Sequence, residues 1–241
     1  MGVLDFSRRA DTPELMDVEA CPFEDFRGCL TDLARVNQLT LTHRPTLAFL
    51  DRLVRAGRMP TGRALRLLDV ASGYGDLLRL IDRWADRRGV AVELVGIDLN
   101  PWAARAAGEA TPPGRPIRWV TGDAFDVPGD EFDVILSSQV THHLDDAGLS
   151  RFLAWQEATA SVAWFVADLH RHPVPYHVFK FWSWAAGWHR YVRHDGPVSV
   201  TRALTLAEWR RAIAAAGLDG LGVELRWRFP FRITVTRIKP A

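Results

Sequence analysis

LRLLDVASGYGDLLRLIDRWADRRG, residues 65–89, decides the fold. Residues 65–71 form a short apolar run, as a strand buried on both faces requires. Gly73 and Gly75 follow at once, and glycines let a chain turn tightly beside a ligand. Residues 76–89 then set Leu77, Leu80, Ile81 and Trp84 on one helical face, and Gly89 closes the helix. Downstream, 92–98, 116–123, 132–138 and 162–169 read as further strands, with helices over 101–110 and 149–160 between them. A helix over 205–218 ends at Gly217, and 223–238 reads as two strands around Pro230. The alternation predicts an α/β fold, a doubly wound, mostly parallel, seven-stranded sheet with helices on both faces. The last two strands stand too close for a crossover helix, so they predict an antiparallel hairpin at the sheet edge. Upstream, Pro13 and Pro22 interrupt residues 1–30, and 33–53 reads as two helical pieces broken near Pro45. The organisation expected is a helical cap over 1–60 and a main unit over 61–241 that carries an insertion at 173–200.

Composition narrows the function. The chain has 241 residues, 48% hydrophobic and 24% charged, as an ordinary globular protein does. Thirty basic against 29 acidic residues leave a net charge of +1, which argues against nucleic-acid partners and against a polybasic membrane anchor. Cys21 and Cys29 are too few for a disulfide framework and suit a reducing cytoplasm. The first residues lack the layout of a signal peptide, and no apolar run is long enough to predict a membrane span. One oddity stands out. There are 10 Trp but 3 Tyr, and seven of the eight His lie between 142 and 194.

The glycine turn has chemistry around it. A dinucleotide fingerprint would place a third glycine at 78, where the chain has Leu78. Asp69 and Asp76 frame the turn, which suits a cationic ligand better than a pyrophosphate. Asp98 ends the second strand, where an acid can accept both ribose hydroxyls. Asp123 follows the third strand and can accept an adenine amino group. Each has a plain structural alternative: a tight turn, a helix cap shared with Asn100, an Asp in a turn. Three consecutive strand ends with an acid apiece favour the ligand.

The order DVASGYGD, GIDLN, TGDAF, EFDVILSSQVTHHL resembles the class I S-adenosylmethionine-dependent methyltransferases over about residues 60–170. The THHL ending is similar to the ubiquinone/menaquinone-methyltransferase-like group, which acts on small molecules. The resemblance implies a Rossmann-like methyltransferase fold and S-adenosylmethionine as cofactor. It implies that Asp69, Ala71, Gly73 and Gly75 wrap the methionine part, and that Asp98 holds the ribose with Leu99 beside the adenine. Asp123, Ala124 and Phe125 would sit at the adenine, and Ser138 or Gln139 beside the sulfonium. Ala71 departs from the family's first glycine, and its small side chain predicts tolerance. In similar methyltransferases the helices before the sheet cover the cofactor, which implies that Asn37, Thr40 and Arg44 reach the cofactor carboxylate or the substrate.

Two further stretches follow strand ends and so face the same crevice. In THH, 141–143, His142 or His143 is the candidate base, since neutral imidazole suits proton removal near pH 7. In ADLHRHPVPYH, 167–177, the substrate candidates are Asp168, His170, Arg171 and Tyr176. No metal is expected there, because His170 and His172 on an extended chain would point to opposite sides. The aromatic insertion 173–200 predicts a lid, with Trp182 and Trp184 as walls and Arg193 or His194 fixing a polar end. A dimer face, giving a homodimer, is its alternative reading. The function expected is methyl transfer to a small hydrophobic or aromatic acceptor in specialised metabolism, at a hydroxyl oxygen. C- or N-methylation is the alternative, together with an NAD(P)-dependent oxidoreductase, against which Leu78 and Asp69 count, or a non-catalytic scaffold.

Overall fold

The computed structural model describes residues 5–129 and 131–240. Residues 1–4 and 241, the ends of the expected cap and main unit, lie outside the described residues. Seven strands form one sheet: β1 (Leu65–Val70), β2 (Val92–Asp98), β3 (Ile117–Thr121), β4 (Val134–Ser138), β5 (Ala163–Leu169), β6 (Glu224–Arg228) and β7 (Arg232–Ile238). Their order is β3-β2-β1-β4-β5-β7-β6. The first five are parallel, and β7 runs antiparallel between β5 and β6. The hairpin therefore does more than trim an edge. β7 is an inner strand, and β6 is the edge.

The helices are α1 (Leu15–Val18), α2 (Phe23–Leu39), α3 (Arg44–Arg55), α4 (Asp76–Arg88), α5 (Pro101–Glu109), α6 (Asp146–Thr159), α7 (Pro173–Ala185), α8 (Arg190–Arg202) and α9 (Leu206–Ala215). α3 and α4 bury Phe49, Leu53, Leu78 and Ile81 on one face of the sheet, and α6 and α9 bury Leu149, Phe152 and Trp209 on the other. β1 is buried along nearly its whole length because both faces are covered. The break in 33–53 lies at residues 40–43, and Pro45 sits in the first turn of α3, where its missing N–H costs nothing. Pro22 likewise starts α2 as its cap. α2 joins α5 through Phe23, Phe26 and Leu30, and α8 through Cys29 and Val36. It thus spans the carboxyl ends of the strands. No helix among the described residues is long and apolar enough to cross a membrane.

Two close approaches shape the site. The Trp119 ring of β3 lies over Gly75 and Gly96, where an added Cβ would fall 2.1 and 2.5 Å from its atoms. The Phe179 ring of α7 lies against Gly196 of α8, where a Cβ would fall 2.0 Å away. At the other end of the sheet Asp133 is fully buried and accepts from Arg63 at 2.6 and 2.7 Å and from the Arg66 amide at 2.9 Å. Burial alone would push this carboxyl up, but Arg63 and the Arg66 amide outweigh it and hold it below its usual value. A depressed carboxyl stabilises the fold above the unfolded pKa of about 3.9, and that contribution goes as pH falls through the folded value. Asp133→Asn should therefore lose about 1–3 kcal/mol in urea unfolding at pH 7. The gap to the native chain should close below about pH 4. A gap that stays constant with pH would show that the charge is not the cause.

Candidate active site

A cavity of about 500 Å³ opens at the carboxyl ends of β1, β2 and β4, roofed by α2 and α8. That size suits a cofactor-sized ligand. The β1–α4 turn forms one wall. Ala71, Gly73 and Gly75 all take left-handed backbone, with φ of 56°, 50° and 73°. Ala71 holds a conformation that glycine favours, at a cost of about 1–2 kcal/mol. Asp98 accepts from the Gly73 and Asn100 amides, each at 2.9 Å, which ties β2 to the turn. Three carboxylates line this end: Asp69, Asp76 and Asp98. Burial, then the charges of Asp76 and Asp98, pushes Asp69 well above the usual carboxyl range. Burial also raises Asp98, against the pull of its two amide donors. A cation placed here relieves both.

A chain of polar side chains crosses the floor. His43 Nε2 donates to Asp76 at 2.7 Å, and Asn37 Nδ2 donates to it at 3.1 Å. Asn37 in turn accepts from Gln139 at 2.8 Å, and Gln139 accepts from Arg232 at 3.4 Å. Arg232 also donates to Thr40 at 3.2 Å and to Thr42 at 2.5 Å. Burial lowers the Arg232 guanidinium to about 10, and its Nε has no partner. The Ser138 hydroxyl is equally unpartnered. Orphaned buried polar atoms in a cavity wall mark where a polar ligand belongs.

The opposite end is built on the turn Thr141–His143, which follows β4. His142 is buried, and its Nδ1 donates to Asp168 at 2.8 Å. Asp168 also accepts from the Thr141 hydroxyl, the His142 amide and the Leu169 amide. Glu14, just before α1, stands 3.5 Å from His142 Nε2 and 3.7 Å from His143 Nε2. It accepts from the Ser199 hydroxyl at 2.7 Å. Burial opposes charge on His142, but Asp168 and Glu14 outweigh it and push the imidazole up to about 10. The same pairing holds Asp168 at about 2. His142 therefore sits in the wall as a cation between two carboxylates.

The structure brings many of the expected residues to the cavity wall and diverts others. Asp69, Ala71, Gly73, Asp98, Leu99, Ser138, Gln139, His142 and His143 line it, as do Asn37 and Thr40. Gly75 stands beside them as the cap of α4. Arg44 does not: it is exposed at the start of α3, and the buried Arg232 supplies the cation instead. Asp123, Ala124 and Phe125 are outside the lining. Asp123 caps its own turn through the Phe125 amide at 2.9 Å, and Phe125 packs on Phe152 and Trp155. Asp168 has its carboxylate filled by the THH turn, so it positions His142 rather than touching a substrate. Arg171 is buried away from the cavity on Phe6, Ala203 and Glu208. His170 and His172 do not point to opposite sides, since both rings lie against Phe231. Tyr176 packs on Phe6, and Arg193 and His194 are exposed. Trp182 and Trp184 are 59% and 71% exposed on the outer face of α7. The insertion instead offers Phe179, Tyr191, Val192 and Val200 to the cavity. Glu14, His43 and Arg232 went unseen in the sequence. The eighth histidine, His43, stands at the end with the three carboxylates, closed on Asp76.

Comparisons with known proteins agree with this geometry. The family model described as "Methyltransferase domain" matches residues 67–160. A search of the curated proteins finds no match. Among solved structures, human N-acetylserotonin methyltransferase in complex with SAM is 14% identical, with TM-score 0.63, covering 91% of this chain and 57% of that one. Magnesium protoporphyrin IX methyltransferase from Synechocystis PCC 6803 with bound SAM is 14% identical, with TM-score 0.57, covering 90% and 91%. The CurJ carbon methyltransferase is 13% identical, with TM-score 0.63, covering 89% and 59%. At these identities the likeness is one of fold. The matched segment runs from β1 to the end of α6, the stretch that carries the glycine turn, Asp98 and the THH turn, so those residues of this chain are similar to a methyltransferase domain.

Proposed function

We propose that the chain methylates a hydroxyl oxygen of a small hydrophobic or aromatic molecule in a specialised biosynthetic route. The observation that carries this is a single cavity with two chemically distinct ends. Asp69, Asp76 and Asp98 stand at one, and Glu14, His142 and His143 at the other. The acid end suits the cofactor. Asp98 would take the ribose hydroxyls, Leu99 would lie by the adenine, and Asp69 would face the ammonium. Arg232, with Thr40 and Gln139, would hold the carboxylate. Ser138 would lie near the sulfonium. The acceptor would rest against Phe179, Tyr191 and Val200, so 1–60 serves as a cap and 173–200 as a wall. The acceptor oxygen attacks the methyl carbon in line, the carbon–sulfur bond breaks, and a neutral thioether leaves. Alignment supplies much of the rate. The acceptor's proton goes to His143, while the His142 cation faces the charge that builds on oxygen. The human neighbour acts on N-acetylserotonin by its name, and CurJ is a carbon methyltransferase by its own; the histidine end favours oxygen.

The test is release of S-adenosylhomocysteine with a panel of phenols, aliphatic alcohols, carbon acids and amines. Turnover confined to carbon acids or amines would refute the oxygen reading. With an active acceptor, His143→Ala should lower kcat about 10- to 100-fold, less than a full general base supplies, because Glu14 stays in reach. Cofactor affinity by calorimetry should not change. An unaltered kcat would remove His143 as the base.

A further inference from the structure

Both histidines of the THH turn are held in the same way, and methyl transfer alone does not require it. His142 has Nδ1 on the Asp168 carboxylate at 2.8 Å and Nε2 3.5 Å from Glu14 Oε1. His143 has Nδ1 on the Asp17 carboxylate at 3.0 Å and Nε2 3.7 Å from Glu14 Oε2. Each ring is thus fixed at its far nitrogen by an acid, and its near nitrogen is turned to one shared carboxylate. This is how proteins orient metal-binding imidazoles: the outer acid sets the tautomer and strengthens the ligand nitrogen. The three ligand atoms lie within 4.8 Å of one another. Atoms 3.5 Å apart can each stand about 2.0–2.2 Å from one ion at a roughly tetrahedral angle. His143 is half-buried, which leaves its ring room to close the remaining gap.

We propose that Glu14, His142 and His143 bind one divalent first-row transition-metal ion in the wall of the acceptor end. Two imidazoles and one carboxylate suit Zn²⁺, Fe²⁺ or Mn²⁺; Mg²⁺ and Ca²⁺ take oxygen ligands. All three ligands line the main cavity, so the ion keeps open positions toward it. The metal site stands on its own geometry. Its use does rest on the methyl-transfer reading and takes the place of His143 as base. The ion would displace the Nε2 proton of His142 and occupy Nε2 of His143. An acceptor hydroxyl on the ion would give up its proton more readily, to water in the cavity, and present oxygen to the methyl group.

The probe is Zn²⁺. The whole chain is stripped with chelator, dialysed against buffered Zn²⁺ and read by mass spectrometry of the metal, with Co²⁺ absorption as a second readout. One equivalent per chain is expected. Glu14→Gln and His143→Ala should each weaken it at least tenfold, and Asp17→Asn by about 10- to 100-fold through the outer shell. Retained binding of S-adenosylmethionine confirms that the variants fold, and it separates failure of this site from failure of the cofactor reading. No bound zinc in the native chain would overturn the proposal, as would one equivalent held equally well by the Glu14→Gln/His143→Ala double variant.

Discussion

Asp98→Ala should raise the dissociation constant for S-adenosylmethionine about 10²- to 10³-fold in calorimetry. The Asp98 carboxylate sits at the end of β2 in the cavity wall and already accepts the Gly73 and Asn100 amides. Each oxygen keeps a second lone pair for a ribose hydroxyl. Hydrogen bonds to a charged group contribute about 1.5–3 kcal/mol each, so losing two removes about 3 kcal/mol or more. The alanine variant also strips an acceptor from two backbone amides, which loosens the turn at Gly73. Asp98→Asn separates the effects. It keeps one acceptor oxygen and should fall between the native chain and the alanine variant. An unchanged dissociation constant for Asp98→Ala would remove this residue from the cofactor site.

Gly75→Ala should destabilise the fold by about 3 kcal/mol, measured by urea unfolding. Two costs add. At φ 73° an alanine stands in left-handed backbone, which costs about 1–2 kcal/mol. Its Cβ would also fall 2.1 Å from the Trp119 ring, and overpacking of that kind costs about 1–3 kcal/mol. The two can be told apart with Trp119→Leu. In the double variant the steric cost should vanish and the backbone cost remain, giving a coupling between the sites. A loss below about 0.5 kcal/mol in the single variant would mean the ring moves aside freely.

The contiguous part of the site was legible in the sequence, because one strand–turn–helix unit carries it. The run 65–89 places Asp69, Gly73 and Gly75 by local geometry alone, and β2 begins and ends where its apolar run does. The rest depends on distant segments meeting. Arg232 reaches the cavity because β7 inserts beside β5, which no local pattern shows. Glu14 becomes a site residue only when α1 packs on α8 and Ser199 donates to it. Asp168 and Arg171 misled for the opposite reason. Strand ends do face the crevice, but these two side chains are already satisfied by their neighbours. The tryptophans of α7 misled because Phe179 covers the inner face and leaves Trp182 and Trp184 outside.

The separation of Glu14 from its partners sets an order of events during synthesis. Glu14 and Ser199 are 185 residues apart, and Asp17 and His143 are 126 apart. At about 5–20 residues per second, roughly 10–40 s pass between the making of Glu14 and of Ser199. Within that interval the strand–turn–helix with Asp69, then Asp98, then the THH turn are made, while the Ser199 hydroxyl that Glu14 accepts from is still missing. On the ribosome, then, the glycine turn and Asp98 are made early, Ser199 of α8 comes later to hold Glu14, and Arg232 of β7 completes the cavity wall last.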